Sequence, residues 1–275
     1  MSDLESFVTE PNQADIQKCG DRCFDDKLYL AAEILFKRIS NNQKLAQTYV
    51  KLKRYQAAFD AAKKADVPKV WKAVCFACVR AKEFRMAALC GQHVIIHPDH
   101  LEEVLQFYEK FGYEEELMQL LEQGMSLERT HNGIYTDLGI LYAKYQPKRL
   151  MDHIRTYTNK LLIPKLIRSC EQFQMWPEAV FLHASYEQQD QAVITMMEHS
   201  PSAWRHDIFS QNIIKIANHD LWYRAIIFYL EEEPMLLNDL LKLLATKVDL
   251  TKAVQVMKRT GQIALITPFL KSVQS

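Results

Sequence analysis

Glycine is scarce in this sequence, at 7 of 275 residues, about a third of the usual share of roughly 7%. Phosphate-cradling loops and tight two-residue hairpins consume glycine, so the shortage argues against Rossmann, P-loop and all-β folds. It also removes the commonest interrupter of helices. An excess of charge is lacking as well: Lys plus Arg and Asp plus Glu number 34 each. A neutral chain has no bulk electrostatic pull toward nucleic acid or an anionic membrane, so neither partner is expected. No apolar run approaches the ~20 residues that span a bilayer. The opening residues Met1 to Phe7 lack the basic and apolar regions of a secretory signal. Six cysteines without secretory context read as reduced thiols. The expected compartment is the cytoplasm.

What the chain does contain is helical periodicity almost throughout. Leu28, Ala31, Ala32, Leu35 and Ile39 recur at i, i+3, i+4, i+7 and i+11, and Val67, Val70, Trp71, Val74, Cys75 and Cys78 repeat the pattern. Each set places an apolar stripe on one helix face. Breakers arrive often. Pro68, Pro98, Pro147, Pro164, Pro177 and Pro234 read as helix starts, because proline is tolerated only in the first turn. An aromatic followed by small and apolar residues recurs at Tyr29, Tyr55, Phe84, Tyr113, Trp176 and Tyr223, with first gaps of 26, 29 and 29 residues. That period suits two helices of about 10–14 residues with short turns. Each such hairpin hides its apolar face only by stacking on its neighbours, so a solenoid is expected in preference to a compact bundle.

Several constellations imitate chemistry. Cys75-x-x-Cys78 followed by Cys90-x-x-His93 has the spacing of a Cys3His zinc site. Cys75 and Cys78, however, share the stripe of Trp71 and Val74, where cysteine acts as a small hydrophobe. Cys19-x-x-x-Cys23, with Gly20 and Asp21 between, reads as packing near a helix end. His93, His97 and His100 are separated by the helix break at Pro98 and read as solvent-facing or turn residues. Glu231, Glu232 and Glu233 read as a solvated helix end, and no Gly-x-Ser-x-Gly elbow occurs. No catalytic residue, metal ligand, cofactor or small-molecule substrate is expected, and the chain does not read as an enzyme. The candidate partner-binding residues are the basic cluster Lys51, Lys53, Arg54, Lys63, Lys64, Lys69 and Lys72. Trp71, Trp176, Trp204 and Trp222 read mostly as core.

The run Trp71-Lys72-Ala73-Val74-Cys75-Phe76-Ala77-Cys78-Val79, with Lys82-Glu83-Phe84-Arg85 after it, resembles the leg of clathrin heavy chains. So do Leu127-Glu128-Arg129, Lys144-Tyr145-Gln146-Pro147, Ala192 to Met197, Tyr223 to Glu231 and Pro234 to Leu241. Lys271-Ser272-Val273-Gln274 is similar again at the end. The resemblance is collinear over nearly the whole chain. It implies an all-α, right-handed α-solenoid of short helical hairpins, arranged as two clathrin heavy-chain repeats, 1–140 and 141–275. It further implies a proximal-leg segment that packs against other heavy-chain legs, binds clathrin light chain, and lies on the cytoplasmic face of coated pits and coated vesicles. It meets membrane only through the coat. Where the family commonly has Tyr-Asp-Lys-Tyr, this chain has His183-Ala184-Ser185-Tyr186. Nothing in it resembles the family's β-propeller, distal leg or trimerisation segment. The alternative expectation is therefore a truncated, non-assembling paralogue, or a solenoid tethering or adaptor module that binds coat partners.

Overall fold

A computed structural model describes residues 15–249, 251–252 and 254–255. Among the described residues there are sixteen α-helices of 8–14 residues, three short 3-10 turns and no strand. The chain divides into two compact units between Leu141 and Tyr142. The first unit holds α1 (Ile16–Asp25), α2 (Tyr29–Arg38), α3 (Asn42–Lys51), α4 (Tyr55–Ala65), α5 (Pro68–Arg80), α6 (Phe84–Ile95), α7 (Pro98–Phe111) and α8 (Glu114–Gly124). The division falls within α9 (Asn132–Tyr145). The second unit continues with α10 (Leu150–Tyr157), α11 (Ile163–Gln172), α12 (Trp176–Ser185), α13 (Gln189–Glu198), α14 (His206–Ile213), α15 (His219–Glu232) and α16 (Leu237–Leu244).

Within the first unit each of α1 to α7 packs on the next, and α3, α4, α5 and α6 also touch the next helix but one. In the second unit α11 to α14 pack in succession, α10 touches α12 and α13 touches α15. Neighbour-only packing of antiparallel hairpins is the organisation of an α-solenoid. Its interior rests on small residues that let helices approach: Ala32, Ala46, Ala58, Ala62 and Ala87 are fully buried, with Phe36, Trp71 and Tyr108 filling the space beside them. The second unit's core gathers Val193, Met196, Phe209, Ile213, Trp222, Tyr229 and Leu240. Trp71 and Trp222 are buried, while Trp176 and Trp204 are only partly covered.

Proline opens helices as expected. Pro68 and Pro98 begin α5 and α7, and Pro164 and Pro177 stand second in α11 and α12. The recurring aromatic opens α2, α4, α6 and α12 and caps α8 at Tyr113. Tyr223 departs from this, lying inside α15, because the helix begins earlier at an Asn218 cap whose side chain accepts from the Asp220 N–H.

With glycine scarce, helix ends are built by other means. Lys27, Ser40, Lys53, Asp66, Lys82, Gln174 and Glu187 all adopt positive φ, between 45° and 62°, alongside Gly112 at 72°. At seven of these eight turns the following residue donates its N–H five residues back. Arg54 N–H donates to Tyr49 O at 2.9 Å, Glu83 N–H to Cys78 O at 2.9 Å, and Met175 N–H to Cys170 O at 2.7 Å. This is the Schellman closure, which satisfies carbonyls left open at a helix end and usually employs glycine. Gly20 has a different use. It lies in mid-helix, where the sequence suggested a helix end, because the Phe36 ring presses against it: an added Cβ would fall 2.7 Å from Phe36 Cε1.

Candidate interaction surface

Alternation of hairpins gives the first unit two edges. One carries the α1–α2, α3–α4, α5–α6 and α7–α8 turns, and the other carries the turns between hairpins. The seven basic residues singled out in the sequence are divided between these edges. Lys51 ends α3, and Lys53 and Arg54 form the α3–α4 turn. Lys63 and Lys64 occupy the last turn of α4, and Lys69 and Lys72 lie on α5, at the opposite edge. The 11-residue α4 separates the groups by about 15 Å at 1.5 Å per residue.

Two of the seven are committed within the chain. Arg54 reaches from the turn to Glu33 Oε2 at 3.0 Å, and Lys37 holds the same carboxylate through Oε1 at 2.6 Å. Glu33 is buried, so this triad satisfies a charge that could not stand alone there. Lys72 pairs with Glu103 across to α7 at 2.7 Å, and its hydrogen bond holds the Glu103 carboxyl below its ordinary value. Lys51, Lys53, Lys63, Lys64 and Lys69 are exposed.

A cavity of about 660 Å³ lies between the α3–α4 and α5–α6 turns, where Lys51, Lys53 and Tyr55 face Arg80, Ala81 and Glu83. At the other edge a cavity of about 470 Å³ brings Asp66, Trp71, His93, His97 and Arg129 together from successive turns. Sequence reading missed Arg80 and Arg129 at these cavities, and Lys27 and Lys82 in the turns on the same edge as Lys53. For the lysines the signal was available: Lys27, Lys53 and Lys82 each stand two residues before the recurring aromatics Tyr29, Tyr55 and Phe84. An aromatic ridge was also missed. Phe76 stacks on Phe107 with centroids 4.0 Å apart, Phe107 meets Phe111 at 5.0 Å, and Arg80 covers Phe107.

The cysteines of the Cys3His spacing pack, and the histidines stand at a helix end, at a cap or toward solvent. Cys75, Cys78 and Cys90 are fully buried, with Cys75 Sγ donating to Ala87 O at 3.5 Å. Burial pushes the Cys75 thiol up to about 12. His93 lies flat on Trp71, and His97 caps α7 edge-on to His100. Cys23 is part-covered, but Cys19 is exposed, because the buried face of α1 there belongs to Gly20. Among the described residues no group of three or more His, Cys, Asp or Glu is placed to hold a metal, and no helix is long and apolar enough to cross a membrane. Glu231 and Glu232 are exposed at the end of α15. Glu178 is the carboxyl raised by burial, at the first turn of α12. At the departure from the family pattern, His183 turns inward and shares a hydrogen bond with Gln188 Oε1 at 2.9 Å, while Ser185 is exposed.

A family model described as a region in clathrin and VPS matches residues 1–86 and 93–237. The chain is 49% identical to clathrin heavy chain 2 of Oryza sativa subsp. japonica over 275 residues, covering all of this chain and 16% of that protein. It is 47% identical over 275 residues to the clathrin heavy chain of Drosophila melanogaster, again covering 16% of it. It is 46% identical over 275 residues to clathrin heavy chain 2 of Homo sapiens, covering 17%. The chain thus spans about a sixth of the length of the curated relatives it matches.

Proposed function

The chain belongs to the clathrin family, in the repeat region shared by clathrin and VPS proteins, and from that premise we propose that it is a leg segment of a clathrin-type vesicle coat. The observation that carries this reading is 46–49% identity over 275 residues to heavy chains from rice, fly and human. In this role the work is mechanical. Stacked hairpins form a surface that packs against other heavy-chain legs and receives clathrin light chain, in vesicle-mediated protein transport at the cytoplasmic face of coated pits. Residues 1–140 and 141–275 act as two clathrin heavy-chain repeats. The role is structural and not enzymatic, with no cofactor, small-molecule substrate or nucleic acid, and it reaches membrane only through the coat.

The basic residues Lys51, Lys53, Arg54, Lys63, Lys64, Lys69 and Lys72 serve partner docking on this reading. The exposed lysines do so directly. Arg54 and Lys72 act through the ion pairs that brace α2 against α4 and α5 against α7. The match to a family description that also names VPS proteins favours one second reading, a solenoid tethering or adaptor module that binds coat partners without assembling. Capture of purified clathrin light chain, followed by co-sedimentation with assembling heavy chains, separates the two. Capture with incorporation into lattices supports the coat leg. Capture without incorporation supports a non-assembling paralogue. Absence of both overturns the coat reading.

A further inference from the structure

Three successive hairpin turns on one edge of the first unit place a lysine in the conformation that glycine adopts at least cost. Lys27, Lys53 and Lys82 have φ of 62°, 58° and 61°, and all three are exposed. A non-glycine residue there is strained. The opposite edge meets the same backbone demand with Ser40 and Asp66, so the backbone does not require lysine. The fourth turn on the lysine edge has Gly112 and ends the series.

We propose that this lysine ladder is a docking strip for an acidic polypeptide segment whose carboxylates are spaced to meet successive turns. Stacked helix layers lie about 10 Å apart, and a segment in the polyproline II conformation advances about 3.1 Å per residue with three residues per turn, so every third side chain faces the same way. An acidic residue at every third position therefore reaches one rung after another. The groove between the second and third rungs, walled by Lys51, Tyr55 and Arg80, gives the segment a seat. Spaced charge fits better than continuous charge. Asp25 and Asp26 adjoin the first rung and Glu83 adjoins the third, and the chain as a whole has no net charge. An unbroken polyanion such as a nucleic acid or a phospholipid surface would meet these carboxylates and find no long-range attraction. The inference rests on the reading of Lys51 and Lys53 as partner-binding and extends it to Lys27, Arg80 and Lys82.

Fluorescence anisotropy with a labelled peptide of about twelve residues, glutamate at every third position, tests the ladder on the full chain. Lys27→Gly, Lys53→Gly and Lys82→Gly combined remove the charges while relieving the backbone, so the variant is expected to melt no lower than wild type. Its peptide affinity should fall about tenfold, as for three exposed ion pairs. Ser40→Gly with Asp66→Gly makes the same backbone change at the other edge and should leave affinity within twofold. The glutamine version of the peptide should not bind, a result independent of any change in the protein's fold. Affinity within twofold of wild type in the triple variant overturns the proposal, as does tighter binding of duplex DNA or anionic vesicles than of the spaced peptide. Light-chain capture by the same wild-type protein judges the coat-leg reading separately. Its failure there leaves the peptide result to decide the ladder.

Discussion

The Trp71 indole lies flat against the His93 imidazole, ring centroids 4.1 Å apart and planes 6° from parallel. Trp71 is 2% exposed and also meets Phe59, ring centroids 5.4 Å apart. The second unit repeats the arrangement, with Trp176 on His199 at 3.4 Å and 6°. In each case a tryptophan near the start of one helix is clasped by a histidine at the end of the next, closing the open mouth of a hairpin.

Truncating the first clasp should be costly. Trp71→Ala is expected to destabilise the first unit by about 3–5 kcal/mol, the range for a buried large aromatic. Urea unfolding followed by circular dichroism measures it, and an unchanged midpoint would place Trp71 outside the core. The clasp also has a pH sign. His93 keeps an exposed edge, but burial of the part of its ring covered by Trp71, assisted by Lys63 and opposed by Asp66, holds it below its ordinary value of 6.5. A base depressed in the native state takes its proton more readily when unfolded. Its contribution to stability is whole above about pH 6.5 and shrinks as pH falls through that value toward the native midpoint. Melting temperature should therefore drop on acidification, with a shallower slope in His93→Gln. A native titration midpoint above 6.5 by NMR would reverse the sign.

Relieving the backbone at helix ends should stabilise the second unit. Gln174 and Glu187 hold φ of 58° and 60°, and each N–H that closes the turn comes from the next residue, Met175 or Gln188. Gln174→Gly or Glu187→Gly is expected to gain up to about 1 kcal/mol, less the extra freedom glycine brings to the unfolded chain. The converse change, Gly112→Ala, should lose about 1 kcal/mol, for conformational reasons alone, since nothing lies within 4 Å of the added Cβ. Denaturant midpoints decide both. A loss at Gln174→Gly would contradict the closure described.

Gly20→Ala should be destabilising for the opposite reason, crowding. The new methyl would meet the Phe36 ring at 2.7 Å, and that ring is fully buried with no room to withdraw. Overpacking of this kind costs about 1–3 kcal/mol. Phe36→Leu in the same chain should return part of the loss. Additive losses in the double variant would show that the two residues do not meet.

Thiol reactivity should follow burial. Cys19 is exposed, and Cys75, Cys78, Cys90 and Cys170 are buried, with Cys75 and Cys170 each pushed up to about 12 by burial. Under native conditions iodoacetamide should label Cys19 first, Cys23 more slowly, and the other four only on unfolding. Mass spectrometry of the labelled peptides reads this out. Zinc bound at one per chain in the unlabelled protein would restore the metal-site alternative for Cys75, Cys78, Cys90 and His93.

Part of the surface was readable before any coordinates. Lys51, Lys53 and Lys69 are exposed because charged side chains ending or opening a helix seldom find burial worth its desolvation. The division of the basic residues between two edges was not readable. Sequence proximity joins Lys53 to Lys63, whereas the direction of α4 carries them to opposite ends of a helix. The roles of Arg54 and Lys72 were hidden for a related reason. Glu33 and Glu103 lie 21 and 31 residues away from them, a separation that only the stacking of hairpins closes.

The sequence by itself determined the helices, their length and their stacking habit. Period, proline placement and small-residue stripes are local, and each hairpin carries an apolar face that a neighbour must cover. The tertiary structure alone decided which residues end the helices at positive φ and which cations are spent on internal carboxylates. Those outcomes depend on where a chain reverses and what lies beside it one hairpin later. That is a matter of geometry between segments, which no single stretch of residues encodes.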